Sequence, residues 1–151
     1  MNMKFIALAL AACALPTAAF AAELVVTAAP SKGQLALSFD MVSDGDVAGF
    51  NFKVNVPGLS DQSRKLPQCV AELPKGFSGD CSVTKEGIYV YAVSNSPDIA
   101  LPAGVNSIGK VVVSYPVALA KAKGELGLTV TELAAANNSA QEISISSRVE
   151  Y

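Results

Sequence analysis

The feature that most constrains this chain is an alternation of apolar and polar residues with a period of two. Over residues 48–56, Phe50, Phe52, Val54 and Val56 fall on one side and Gly49, Asn51, Lys53 and Asn55 on the other. Successive side chains of an extended strand point to opposite faces, so such a segment packs one face on a core and leaves the other wet. The same pattern predicts strands at 24–28, 34–42, 68–73, 87–94, 108–117, 126–131 and 143–149. In the second of these, Leu35, Leu37, Phe39 and Met41 share a face. Strand 87–94 differs, because Ile88, Val90 and Ala92 oppose Tyr89, Tyr91 and Val93, which places it inside a sheet or under a contact surface. Clusters of Gly, Pro, Asn and Asp separate the strands and predict loops at 57–67, 74–80, 95–106 and 134–140. A single helical turn is expected at 117–123. Helical periodicity is otherwise nearly absent. About eight or nine short strands at this spacing predict an all-β, two-sheet sandwich of the jelly-roll type.

The first 21 residues stand outside this pattern. Lys4 closes a short basic start, an apolar stretch follows and Pro16 breaks it, and Ala19-Phe20-Ala21 gives the small-x-small pattern of a signal-peptidase site. Residues 1–21 are therefore expected to be a signal peptide and 22–151 one exported domain, periplasmic or secreted. The competing reading is a lipoprotein signal, in which Leu10-Ala11-Ala12-Cys13 yields a lipid-modified Cys13. Lys4 is one of the 11 basic residues, so ten remain in the mature chain against 13 acidic ones, a net of about −3. That mild acidity gives no footprint for nucleic acid or an anionic membrane. No later segment is long and apolar enough to span a bilayer as a helix.

Removing the leader leaves Cys69 and Cys81, an even pair in an oxidising compartment, and predicts one disulfide. The alternative, a redox or metal pair, fits poorly: eleven intervening residues match neither a CxxC motif nor a zinc knuckle. There is no histidine in the chain. The commonest general base, the Ser-His and Cys-His nucleophile pairs and the usual zinc ligands go with it. Asp44 and Asp46 flank Gly45, a pattern of turn chemistry before acid–base chemistry; calcium at this turn would need six to eight oxygen ligands, and the chain lacks the spacing of an EF-hand loop. Phosphate-cradling glycine loops are missing, so no cofactor and no catalytic residue is expected. Asn137-Asn138-Ser139 matches a glycosylation sequon, which the bacterial character of the leader makes accidental.

The order of motifs resembles the cohesin family, the sandwich modules that bind dockerin domains in cellulosomes and also occur as free-standing cohesin-like domains. The resemblance lies in DGDVAGFNFKVNVP at 44–57, in EGIYVYAVS and NSIGKVVVSYPV within 86–117, and in the closing strands of 124–149. It departs at Val56-Pro57, where the family often has Tyr-Asp, and in the segment from Cys69 to Cys81. The resemblance implies a non-catalytic protein-binding or scaffolding module that uses one sheet face, with a dockerin-like or other exported protein as partner. By that match the outward polar contact residue is Asn51, with Gly49 and Lys53 beside it and Tyr89 and Tyr91 added if their strand lies alongside. The bland alternative makes Asn51 and Lys53 a solvated face and the tyrosines packing. A different functional alternative is a carbohydrate-binding module: Tyr89 and Tyr91, two apart on a strand, form a small stacking platform for a polysaccharide.

Overall fold

The computed structural model describes residues 22–59, 64–65, 67–115 and 126–151. Ten strands build two sheets: β1 (Ala22–Ser31), β2 (Gln34–Ser43), β3 (Gly49–Asn55), β4 (Arg64–Lys65), β5 (Phe77–Thr84), β6 (Gly87–Ser94), β7 (Gly104–Ser114), β8 (Thr129–Ala136), β9 (Glu142–Ile143) and β10 (Ile145–Glu150). The four-stranded sheet has the order β10-β1-β2-β7 and the six-stranded sheet the order β4-β5-β6-β3-β8-β9. Every pairing is antiparallel except β1 with β10, whose parallel register runs from Ala22 opposite Ile145 to Thr27 opposite Glu150. The expected all-β sandwich is the architecture found.

The alternation dictates which atoms meet between the layers. Leu24, Val26, Leu35, Leu37, Phe39 and Met41 of one sheet face Phe50, Phe52, Val54, Ile88 and Val90 of the other, all buried. Phe39 and Phe52 meet edge to face with ring centroids 5.2 Å apart, the arrangement favoured by the aromatic quadrupole. At the β1–β2 reversal, Lys32-Gly33 forms a tight turn with Gly33 at φ 76°, a conformation that costs glycine nothing.

Several loop and strand assignments are corrected by the structure: among them, the loop expected at 57–67 contains β4, and the single strand expected at 143–149 is split into β9 and β10, which lie in different sheets. The strand expected at 68–73 is a 3-10 turn, Pro67–Val70. The loop expected at 74–80 contains the first half of β5, which starts at Phe77. The loop expected at 134–140 begins as strand, because β8 runs to Ala136. Smaller shifts of the same kind start β7 at Gly104 and β8 at Thr129. Lone Gly and Asp residues read as turns misled the β5 assignment. Gly79 is there because its neighbours leave no room: a Cβ would lie 2.5 Å from the Tyr91 carbonyl oxygen. The segments expected as leader (1–21) and helical turn (117–123) lie outside the described residues.

The 3-10 turn closes one flank of the sandwich. Cys69 is bonded to Cys81 of β5, with Cα atoms 5.8 Å apart and both side chains buried. On its other side the turn lies against β7, where a Cβ on Gly109 would sit 2.3 Å from the Cys69 carbonyl oxygen. The Glu72 amide donates to the Ile108 carbonyl at 3.0 Å. The expected disulfide thus ties the connector to the six-stranded sheet, while the close approach to Gly109 and the Glu72 hydrogen bond hold it against the four-stranded one. In the chain-entropy account, closing a loop of this length stabilises the fold by roughly 2 to 3 kcal/mol.

Candidate functional site

β3 is hydrogen-bonded to β6 on one side and β8 on the other, and the registers put its outward residues in rows with theirs. Asn51 lies opposite Tyr91 and Ala134, Lys53 opposite Tyr89 and Thr131, and Gly49 opposite Val93 and Ala136. Gly49, Asn51, Lys53, Tyr89 and Tyr91, the residues singled out from the sequence, therefore occupy one contiguous outer face. Tyr91 and Val93 are 55% and 52% exposed, so this face turns two large apolar side chains to solvent. β5 extends the rows, with Asp80 opposite Tyr91 and Ser82 opposite Tyr89.

A bulge shapes the middle of the face. Between Asn51 and Lys53 the β3–β8 register slips, leaving Glu132 and Leu133 opposite Phe52 alone. Glu132 takes φ 52°, a left-handed conformation that is uncommon outside glycine. Its carbonyl accepts a hydrogen bond from Asn51 Nδ2 at 2.5 Å, and its carboxylate accepts one from Tyr89 Oη at 3.3 Å. Asn51 is thus both exposed and a brace for the bulge.

Lys53 completes this polar cluster. Its Nζ lies 3.3 Å from Glu86 Oε2 and 4.8 Å from the centroid of the Tyr89 ring. The hydrogen bond with Tyr89, then that with Glu86, holds the ammonium above the usual lysine range, with burial acting the other way. The lysine also covers a face of the ring that a sugar would need for stacking.

The sequence reading missed Val93, Glu132, Ala134, Ala136 and Glu142, which belong to the same surface. A signal for the bulge was present. Leu128 and Val130 point inward at even numbers, whereas Leu133 and Ala135 do so at odd ones, and a phase flip within one strand requires an extra residue. Beside Gly49 the face sinks into a groove of about 410 Å³, bounded by Tyr91 and Val93 on one side and by Ala140 and Glu142 on the other.

The remaining candidates resolve into turn chemistry. The Asp44 carboxylate accepts from the Asp46 amide at 3.4 Å, and Ser43 Oγ accepts from the Gly45 amide at 3.0 Å. Asn137 of the sequon uses its Oδ1 to accept from the amides of Ser139 and Gln141, fixing the β8–β9 turn. Among the described residues no group of three or more His, Cys, Asp or Glu converges as a metal site. No helix among them is long and apolar enough to cross a membrane.

Two sheets in this order, closed by a parallel pair of terminal strands and presenting a sculpted outer face, define a cohesin-like β-sandwich. The same fold is seen in a type I cohesin–dockerin complex from Clostridium thermocellum, at 15% identity with a TM-score of 0.56, covering 90% of this chain and 97% of that one. It is seen in a non-cellulosomal cohesin from the archaeon Archaeoglobus fulgidus, at 12% identity and a TM-score of 0.55, covering 85% and 86%. A type II cohesin from Bacteroides cellulosolvens matches at 8% identity and 0.56, covering 83% and 95%. No protein-family model matches the sequence, and no curated protein matches it either, so the likeness is one of fold.

Proposed function

We propose that this chain is an exported, non-catalytic module that binds another exported protein on the outer face of its six-stranded sheet. One observation carries the reading: the alternation and the register together place Tyr91 and Val93, both more than half exposed, in rows with Asn51 and Gly49 on a sheet whose inner face already fills the core. Aromatic residues projecting from a rigid scaffold into a shallow groove are the usual anchors of protein interfaces. Cohesin-type modules are non-catalytic binding domains, and several with this fold are known from complexes with dockerins. Export rests on the leader-like first 21 residues and on the disulfide, which belongs to oxidising compartments. The polysaccharide alternative is weakened by Lys53, which leaves Tyr91 without an open Tyr89 ring as partner in a stacking platform.

The test is affinity capture from the producing organism's exported proteins, run with the native domain, Tyr91→Ala and Val112→Ala. Val112 is also exposed but sits on the opposite sheet. Retention of a protein by the native domain and by Val112→Ala, and its loss with Tyr91→Ala, is the expected result. Equal retention by all three removes the six-stranded face from consideration. Binding to a glycan array with no captured protein reverses the choice between protein and polysaccharide.

A further inference from the structure

At the end of the six-stranded sheet, past Gly49, a depression of about 400 Å³ lies between two turns. The chain leaving β6, 94–97, forms one wall and the β8–β9 turn the other, with Ala48 and Gly49 as the floor. A Cβ on Gly49 would meet the Ala92 carbonyl oxygen at 3.5 Å and Val93 Cγ2 at 3.8 Å, ordinary van der Waals distances. The fold has room for a side chain there, and the glycine keeps the floor clear at a cost in strand stability.

The walls carry Ser94, Asn95, Ser96, Asn137 and Asn138, and no ionisable side chain lines the depression. Most of this polar capacity holds the walls in place. Asn137 Oδ1 accepts from the Ser139 and Gln141 amides at 2.9 and 3.0 Å, and its Nδ2 donates to Gln141 Oε1 at 3.1 Å. These bonds keep Ala140, on the rim, at φ 55°, a conformation uncommon for a residue with a Cβ. On the other wall Ser96 Oγ accepts from the Asp98 amide at 3.4 Å and the Ser96 carbonyl from the Ile99 amide at 3.2 Å. The amides of Ala48, Ser94 and Asn95 are spent on the carbonyls of Ala136, Ala48 and Gly76. Two carboxamides keep capacity to spare. Asn95 Oδ1 accepts from Ser78 Oγ at 2.8 Å and Asn138 Oδ1 from Ser94 Oγ at 3.5 Å, and neither Nδ2 donates to another of the described residues.

That inventory selects a class of ligand. An anion would find no cation here, and a cation no carboxylate. An extended peptide would find no ladder, because the amides of Ala48, Ser94 and Asn95 are already paired. A neutral polyhydroxylated ring meets the requirement. A carboxamide offers a donor and an acceptor side by side, which suits hydroxyls that both give and take a hydrogen bond. Val93, Pro97 and the alanines give the ring C–H groups an apolar wall. Walls fixed in advance spare the complex the cost of ordering them.

We infer that this depression binds a neutral saccharide unit, held by the carboxamides of Asn95 and Asn138. It is separate from Tyr89 and Tyr91, neither of which lines it, and it stands whether or not the sheet face binds a protein. The ¹⁵N-labelled domain is titrated with cellobiose, maltose, lactose and N,N′-diacetylchitobiose, and with digalacturonate and acetyl-trialanine amide as acidic and main-chain counterparts. At least one neutral disaccharide is expected to saturate with a Kd of about 1 to 10 mM, shifting the backbone amides of Ser96, Asn138 and Ala140 and the side-chain amides of Asn95 and Asn138. Asn95→Ala and Asn138→Ala should each weaken it about fivefold, as should Gly49→Leu, which fills the floor without removing a polar group. Asn138→Ala should melt at the native temperature, since its side chain is exposed. If Asn95→Ala, which also frees Ser78, melts lower, Asn138→Ala and Gly49→Leu decide. No shift with any of the four neutral probes, tighter binding of digalacturonate or of the peptide, shifts centred on Tyr89 and Tyr91, or undiminished binding by Asn138→Ala and Gly49→Leu would each overturn the inference.

Discussion

The two sheets share one core and differ in what they turn outward. On the four-stranded sheet, Thr27, Ser38 and Lys110 form one row and Ala29, Ala36 and Val112 the next, over a depression of only about 170 Å³. At its edge Arg148 is paired with Glu23 and with Glu150, the latter at 2.9 Å. The six-stranded sheet instead shows Tyr91 and Val93, a bulge at Glu132 and a groove walled by the β8–β9 turn. Both sheets carry an irregularity, and the two are used differently. The slip between Phe39 and Asp40 lies opposite Gly109, where β7 receives the 3-10 turn, so it serves the fold. The slip opposite Phe52 faces solvent and shapes a surface. Irregularity that packing does not explain is a sharper pointer to a contact surface than exposure alone.

The comparison holds that the inner faces are equivalent, and the largest expected effect tests this. Phe39→Ala and Phe52→Ala, one from each sheet, should each cost about 3 to 5 kcal/mol by urea denaturation. A cost under about 1 kcal/mol at either would show that its sheet is not half of one core. Next, replacing Cys69 and Cys81 together by alanine should lower stability by roughly 2 to 3 kcal/mol, because the 3-10 turn loses its covalent tie to β5. Retained stability would mean that the Glu72 and Gly109 contacts hold the turn by themselves.

The outer faces should respond in the opposite sense. Tyr91→Ala and Val112→Ala are both surface truncations and should move stability by no more than about 0.5 kcal/mol in calorimetry. Only the first should abolish partner capture. A fall in stability at Tyr91 like that of a core residue would turn the proposed contact surface into packing. The smallest effect is alkaline. Lys53 and Tyr115 both have folded-state pKa values raised above their ordinary 10.5 and 10.0, Lys53 first by its hydrogen bond with Tyr89 and Tyr115 by burial. A group that binds its proton more tightly when folded contributes stability in full below its unfolded pKa and loses it as pH rises through the folded value. The melting temperature should therefore be flat with respect to these groups below pH 10 and decline above it, less steeply in Tyr115→Phe.

How much was legible follows from the range of the forces involved. Where each inward residue was large, as at Leu35, Leu37, Phe39 and Met41 or at Phe50, Phe52 and Val54, the strand could be read directly, because burial of one face is a local pattern. β5 was misread since its inward positions include Gly79, whose size is set by Leu73 and the Tyr91 carbonyl arriving from elsewhere in the chain. Cys69 was placed on a strand for a similar reason. Nothing in Pro67–Val70 itself says that a turn must fit against Gly109. Asn51, Lys53, Tyr89 and Tyr91 were legible as outward residues, yet their union in one surface depended on β6 lying beside β3.

By itself, then, the sequence determined the fold class, the inward and outward sets of β2, β3 and β6 and the identity of the crosslinked cysteines. These follow from period-two burial and from a count of thiols, neither of which needs to know which strand is whose neighbour. Tertiary structure alone decided strand order, the bulge that displays Glu132 and the groove over Gly49. Each of these depends on pairing between segments far apart in the chain, where register is fixed by the fit of two surfaces rather than by the preference of either.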